Sequence, residues 1–145
     1  LAETGWIVAD GATVTNYFKQ GLETGYPPEL WNVEKPDEVA PLHTAFIDSG
    51  SQLVLTNSFG GNALLLKLHG AQDCVAELNA AAARFACMAA DAAADRQGRR
   101  PILAGSMGPT GELFEPIGTL THETTRDVFA ARGNAFAVGG GHLVD

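Results

Sequence analysis

Leu53-Val54-Leu55-Thr56-Asn57-Ser58-Phe59-Gly60-Gly61 changes character in the middle. Three aliphatic residues in a row read as a short buried strand. The polar and glycine residues that follow read as the loop at its carboxyl end. Two other stretches repeat the pattern. Trp6-Ile7-Val8-Ala9 runs into Asp10-Gly11, and Pro101-Ile102-Leu103-Ala104 runs into Gly105-Ser106-Met107-Gly108-Pro109-Thr110-Gly111. Both read as buried strands that end at turns. The ends of the three runs, Asp10, Thr56 and Ser106, lie 46 and 50 positions apart. Each interval is generous for one helical crossover between parallel strands.

Helical patterns fill the intervals. A short helix is expected over Thr15 to Leu22, stopped by Gly25-Tyr26-Pro27-Pro28. Pro36 opens a second helix, where its missing N–H costs nothing. Asp37 and Glu38 in its first turn suit the helix dipole. Val39, Leu42, Phe46 and Ile47 make one face, and Gly50 is a natural stop. The longest helix is expected from about Ala71 to Asp95, with Val75, Leu78, Ala82 and Phe85 as its stripe and Gly98 as its end. Thr121 can cap a further helix carrying Val128, Phe129 and Phe136. Gly139-Gly140-Gly141 closes that helix, and His142-Leu143-Val144 reads as the start of a fourth strand.

The order β-α-β-α-β-α-β implies a parallel sheet covered by helices. Ligands in such folds bind beyond the carboxyl ends of the strands, where the polar and glycine residues collect here. Eight units would close a barrel, whereas this chain supplies about three and a half, leaving an open strand edge. The chain is then either a small complete α/β sandwich or a piece of something larger. Asp145 follows an apolar run directly, which favours truncation.

The 145 residues carry nine Lys and Arg against 17 Asp and Glu, a net charge of −8. A chain this acidic lacks the basic face that nucleic acid requires. No apolar run approaches the roughly 18 residues of a membrane span. No secretory leader is recognisable, and the first residue is Leu1 rather than Met. A hydrophobic share of 46% excludes wholesale disorder. Cys74 and Cys87 fall on one expected helix roughly 20 Å apart, which prevents pairing and shared metal ligation. They read as small buried hydrophobes, consistent with a reducing, cytoplasmic location.

No phosphate loop or dinucleotide fingerprint is present; Gly105, Gly108 and Gly111 have the wrong spacing. His43, His69, His122 and His142 share no ligand spacing, and His43 reads as a partly buried packing residue. Asp10 is the more informative residue. At a strand end, its carboxylate can hold an ammonium group while the Gly11 amide approaches a carboxylate closely. An Asp-Gly pair is equally a simple turn. Asn57, Ser58 and Phe59 offer hydrogen bonds and an apolar wall at the next strand end, or serve only as a helix-opening loop.

Four segments occur in a familiar order: Asp10-Gly11-Ala12-Thr13, Pro28-Glu29-Leu30-Trp31-Asn32, Thr56-Asn57-Ser58-Phe59-Gly60 and Ala104 through Gly111. With them the chain resembles the homocysteine S-methyltransferase family, especially its betaine–homocysteine methyltransferase-like members. The likeness runs from about Gly5 to Val144 and covers the N-terminal half of the family's domain. It implies a partial (β/α)8 barrel, with residues 1–145 as the N-terminal half of a homocysteine-binding domain. It also implies methyl transfer from a small donor such as betaine to the homocysteine thiol, giving methionine, with zinc lowering the thiol pKa. By the same resemblance Asp10 and Gly11 would contact the amino-acid end of homocysteine. Asn57, Ser58 and Phe59 would line the same mouth, and Trp31 would help enclose the donor.

The departures from the family pattern set a second expectation. The family's three zinc-binding cysteines belong to its second half, and Cys74 and Cys87 do not match them. A Glu-Thr pair would fall just beyond Asp145. Val14 replaces a usual glycine, His142 a usual acid, and Gly133-Asn134 interrupts a helix normally built of better helix formers. The expectation is therefore a zinc-dependent methyltransferase fold whose zinc ligands lie outside this chain, inactive alone. The rival readings are a half-barrel that binds or self-associates through its open edge, and a compact non-barrel α/β domain.

Overall fold

The computed structural model describes residues 5–140. The sheet is parallel. β1 (Leu53–Leu55) pairs with β2 (Ile102–Ala104) in the register Leu53 to Ile102, Val54 to Leu103 and Leu55 to Ala104. Beyond the ladder, Thr56 N donates to Ala104 O and Ser106 N to Thr56 Oγ1. The sheet thus continues into its own loops.

The run Trp6–Ala9 differs from the expectation of a buried strand. It lies parallel to β1 but makes one bridge, Ala9 to Leu53. Leu53 N donates to Val8 O, and Asp10 N to Leu53 O. Trp6 stays 61% and Val8 43% exposed. The segment pairs with β1 along one edge, Ile7 is only half-buried, and none of its apolar side chains enters the core. The backbone is where a first strand belongs, while the burial is not.

Helices follow the punctuation of the sequence. α1 spans Thr13–Lys19, earlier than expected, directly after an extended Ala12. A 3-10 turn at Pro28–Leu30 leads into α2 (Trp31–Glu34), and α3 spans Pro36–Asp48 with Gly50 at φ +106 beyond it. α4 (Ala63–Leu66) is capped by Asn62, whose Oδ1 accepts from Leu64 N and Leu65 N. The expected helix from Ala71 is divided: Gln72–Cys74 form a 3-10 turn, and α5 runs Val75–Gln97 to a left-handed Gly98. Cys74 therefore sits before α5 rather than on it. Both cysteines are free and half-buried. α6 spans His122–Val138, and Thr121 Oγ1 accepts from Thr124 N at 3.1 Å, as a cap should.

α6 runs through Gly133-Asn134 without a break. The interruption expected there is absent because a single glycine costs only about 1 kcal/mol in a helix. Packing against α5 on one side holds this helix in place. The fourth strand expected at His142–Val144 lies outside the described residues.

α5 is the centre of the helical layer, touching α3 and α6. Its alanines allow close approach: Ala86, Ala89, Ala90 and Ala93 pack with Ile47, Val54 and Leu103 beneath the sheet. A second cluster joins Tyr17, Leu22, Trp31, Val39 and Leu42. His43 is fully buried rather than partly, with no hydrogen bond to Nε2 among the described residues. Burial holds its pKa down at about 4, so the ring is neutral at pH 7.

Candidate functional site

The carboxyl ends of the extended segments converge. Asp10 leaves the first segment half-buried, and its Oδ2 accepts from Leu55 N at 2.9 Å. Burial raises its pKa, and the hydrogen bonds from the Leu55 and Asp10 amides oppose that rise. The contact binds Asp10 to the end of β1. Gly11 follows closely: a Cβ there would stand 3.1 Å from the Phe46 ring.

The loop after β1 is held by buried side chains at nearly every polar atom. Asn32 Nδ2 donates to Asn57 O at 2.7 Å and to Leu78 O. Asn57 Nδ2 donates to Pro28 O and to Asn32 Oδ1. Gly60 N donates to Glu29 Oε1 at 2.6 Å. Asn79 Nδ2 donates to Gly61 O at 2.7 Å. The loop after β2 is tied to it: Ser58 Oγ donates to Ser106 O at 2.9 Å, and Gly108 N to Phe59 O at 2.8 Å. Gly108 is required, because a Cβ there would lie 2.6 Å from the Phe59 ring and 2.7 Å from its carbonyl oxygen.

Arg132 reaches in from α6. It is fully buried. Its guanidinium donates to Ser58 O, to Ser106 O at 2.8 Å, to Phe59 O at 3.3 Å and to Gly108 O at 3.4 Å, and it meets Asn79 Oδ1 at 3.5 Å. Burial lowers its pKa to about 10, opposed by the Glu29 charge. Glu29 is itself buried, which raises its pKa, while the Glu29 and Gly60 amides and the charges of Arg132 and His69 pull the other way. The two buried charges therefore compensate each other across the loop without touching.

The six residues expected to bind substrate divide into groups. Asp10 and Gly11 sit at the first strand end. Asn57 and Ser58 are buried and bond to both backbone and side chains of the surrounding loops, whereas Phe59 is 59% exposed. Phe59 helps line a cleft of about 410 Å3 together with Val14, Phe18, Tyr26, Glu29 and His69. Trp31 is apart: it is buried against Tyr17, 5.2 Å between ring centroids, with Lys35 Nζ 4.5 Å from its ring centre. It borders a smaller neighbouring cleft with Tyr26, Glu34 and Lys35.

Glu29, Asn32, Asn79 and Arg132 hold the site; Glu29 and Asn32 fall in a family motif but were given no role, and Asn79 and Arg132 were not singled out in the sequence. A signal for two of them exists. Asn79 falls beside Val75, Leu78 and Ala82 on the buried stripe of α5, and Arg132 shares a stripe with Val128, Ala135 and Phe136. A polar residue on an apolar stripe must find buried partners.

A zinc ion finds no donors of its own here. Among the described residues no three His, Cys, Asp or Glu side chains come together. Cys87 Sγ instead donates to Gly140 O at 3.2 Å. The described residues therefore do not fit the metal that the resemblance implies. Among them, too, no helix is long and apolar enough to cross a membrane.

Comparisons with known proteins agree with this architecture. The chain is 28% identical over 116 residues to methionine synthase of Mycobacterium leprae, and 27% identical to that of Mycobacterium tuberculosis. Each match covers 80% of this chain and 10% of the relative. The chain thus spans about a tenth of the length of these curated relatives. Its fold is similar to the homocysteine methyltransferase MmuM from Escherichia coli in its metallated form, with a TM-score of 0.77 at 22% identity over 95% of this chain and 52% of that one. The apo form gives a TM-score of 0.68. The profile of the homocysteine S-methyltransferase family matches residues 7–144, and the chain belongs to that family.

Proposed function

We propose that this chain forms the amino-acid-cradling part of a homocysteine S-methyltransferase, about three and a half units of a (β/α)8 barrel. The observation that supports the reading is the joining of adjacent strand ends, with Asp10 bonded to the end of β1 and the Phe59 loop beyond it fixed by buried side chains. Asp10 holds the homocysteine ammonium through charge-assisted hydrogen bonding. The Gly11 amide meets the carboxylate, and Ser58 and Asn57 keep the opposite wall in place.

A small onium methyl donor such as betaine suits the adjoining cleft. Aromatic faces from Phe18, Tyr26 and Phe59 with the Glu29 carboxylate attract a quaternary cation. Trp31 enters this proposal through the neighbouring cleft and its packing on Tyr17. In the reaction the homocysteine sulfur bonds to the donor's methyl carbon. The bond from that carbon to the onium atom breaks with its electron pair going to the donor, and the thiol proton is lost to solvent. No step is assigned to a metal on the described residues, and no catalytic residue is assigned on this chain.

Calorimetric titration with homocysteine tests the reading. The chain is expected to bind the amino acid, and Asp10→Asn is expected to weaken binding by on the order of tenfold or more, the worth of a charge-assisted bond. Absence of binding to the unaltered chain, or an indifferent variant, refutes it. Zinc titration supplies a separate check on the cofactor: tight one-to-one binding by this chain would contradict the assignment of the zinc ligands to other polypeptide.

A second reading, self-association, is supported by β2, which pairs on one side only among the described residues. Gel filtration distinguishes it, since a monomer at all concentrations would exclude pairing through that edge.

A further inference from the structure

Arg132 stands in the middle of α6 with no carboxylate within ion-pair distance among the described residues. Burying a cation in this way is expensive, and an apolar side chain on the same helix stripe avoids that cost. Its partners explain its presence. They are backbone carbonyls of two different loops, Ser58 and Phe59 after β1 and Ser106 and Gly108 after β2.

Most of these carbonyls already have a donor. Ser58 O accepts from Gly61 N, Phe59 O from Gly108 N and Ser106 O from Ser58 Oγ. Satisfying orphaned oxygens is therefore not the main contribution of Arg132. What it adds is a second, planar set of bonds that crosses from one loop to the other. A guanidinium offers five donors in a fixed fork, which fixes direction as well as distance. Lysine offers a point charge on a flexible stem.

We propose that Arg132 is a positioning residue for the substrate mouth: a buried clamp that sets the spacing of the 57–60 and 105–108 loops, and through them the placement of Phe59. The proposal rests on the reading that this mouth takes homocysteine. The clamp acts from behind the site, through main chain, and touches no ligand. Glu29 balances it from the other side of Gly60 by holding the Gly60 amide.

The test compares Arg132→Met, Arg132→Lys and Ile47→Ala, the last in the cluster beneath the sheet. Three quantities are read: thermal stability, hydrogen exchange at the Gly61 and Gly108 amides, and homocysteine affinity by calorimetry. Arg132→Met is expected to speed exchange at both amides and to weaken homocysteine binding by on the order of tenfold or more, the scale of a misplaced contact. Arg132→Lys is expected to recover part of the affinity. Ile47→Ala is expected to lower thermal stability with affinity unchanged.

Unchanged exchange and affinity in Arg132→Met overturn the proposal, and so does an equal affinity loss in Ile47→Ala. Should Arg132→Met fail to fold, Arg132→Lys decides on the same readings. If the unaltered chain binds no homocysteine, the functional reading falls, and exchange at Gly61 and Gly108 alone decides the clamp.

Discussion

Two neighbouring strand ends of this molecule are built differently. The loop after β1 has Asn32, Glu29, Asn79 and Arg132 bonded to its backbone, and its partner loop is closed onto it by Gly108. The first segment, Trp6 to Asp10, is held by backbone bonds to residues 52 and 53, by the Gln52 and Ser51 side chains and by the Asp10 carboxylate, with Trp6 and Val8 exposed. A loop fixed from several sides presents Phe59 with little conformational freedom left to lose on binding. An edge fixed from one side depends on β1 for its place.

The contrast predicts where stability resides. The largest effect is set by pH. His43 belongs to the protected side, on α3 next to β1. Its folded pKa of about 4 lies below the ordinary value of 6.5. Between those values the unfolded chain takes up a proton that the folded chain refuses. Stability therefore falls as pH drops from about 6.5 to about 4, by on the order of 3 kcal/mol, and is unaffected by this group above that window. Urea denaturation across that range measures it, and His43→Leu is expected to flatten the slope; an unchanged slope rejects the assignment.

Next in size is alanine at the two glycines of the mouth. Gly108→Ala forces a methyl into the Phe59 ring and carbonyl and is expected to cost roughly 2–3 kcal/mol. Gly11→Ala meets only the edge of the Phe46 ring, which can turn aside, and is expected to cost about 1 kcal/mol or less. Equal costs in chemical denaturation would mean that the two loops are equally confined.

The same comparison can be made within the sheet. Val54 is fully buried in β1 and Val8 is 43% exposed on the neighbouring segment. Val54→Ala is expected to lose about 2 kcal/mol and Val8→Ala no more than about 0.5 kcal/mol. A large loss at Val8 would show that the first segment is covered in solution. The smallest effect concerns α6. A Cβ on Gly133 meets nothing within 4 Å, so Gly133→Ala is expected to stabilise by about 0.5–1 kcal/mol, read as a raised melting temperature.

Much of this was legible in the residues. Leu53-Val54-Leu55 and Ile102-Leu103-Ala104 are strands, Pro36 opens α3, Thr121 caps α6 and Gly98 ends α5, because local backbone preference and tertiary packing favour the same conformation at each place. Four ordered motifs carried the family, and the profile matches residues 7–144. Trp6–Ala9 was misread as buried because an apolar run reports its own composition and not what covers it. Cys74 was placed on α5 for a similar reason: helix-like sequence continues through a 3-10 turn that Cys74 N closes on Ala71 O and that packs with Leu66, Ala71 and Val75.

Sequence alone thus determined α3, β1, α5, β2 and α6, their order and the loops in which the proposed mouth lies, since those follow from short-range chemistry along the chain. Tertiary structure decided which side chains hold that mouth. Glu29, Asn32, Asn79 and Arg132 come from four separate positions and meet at one loop, and a buried polar group acquires its meaning from partners that no local pattern can name.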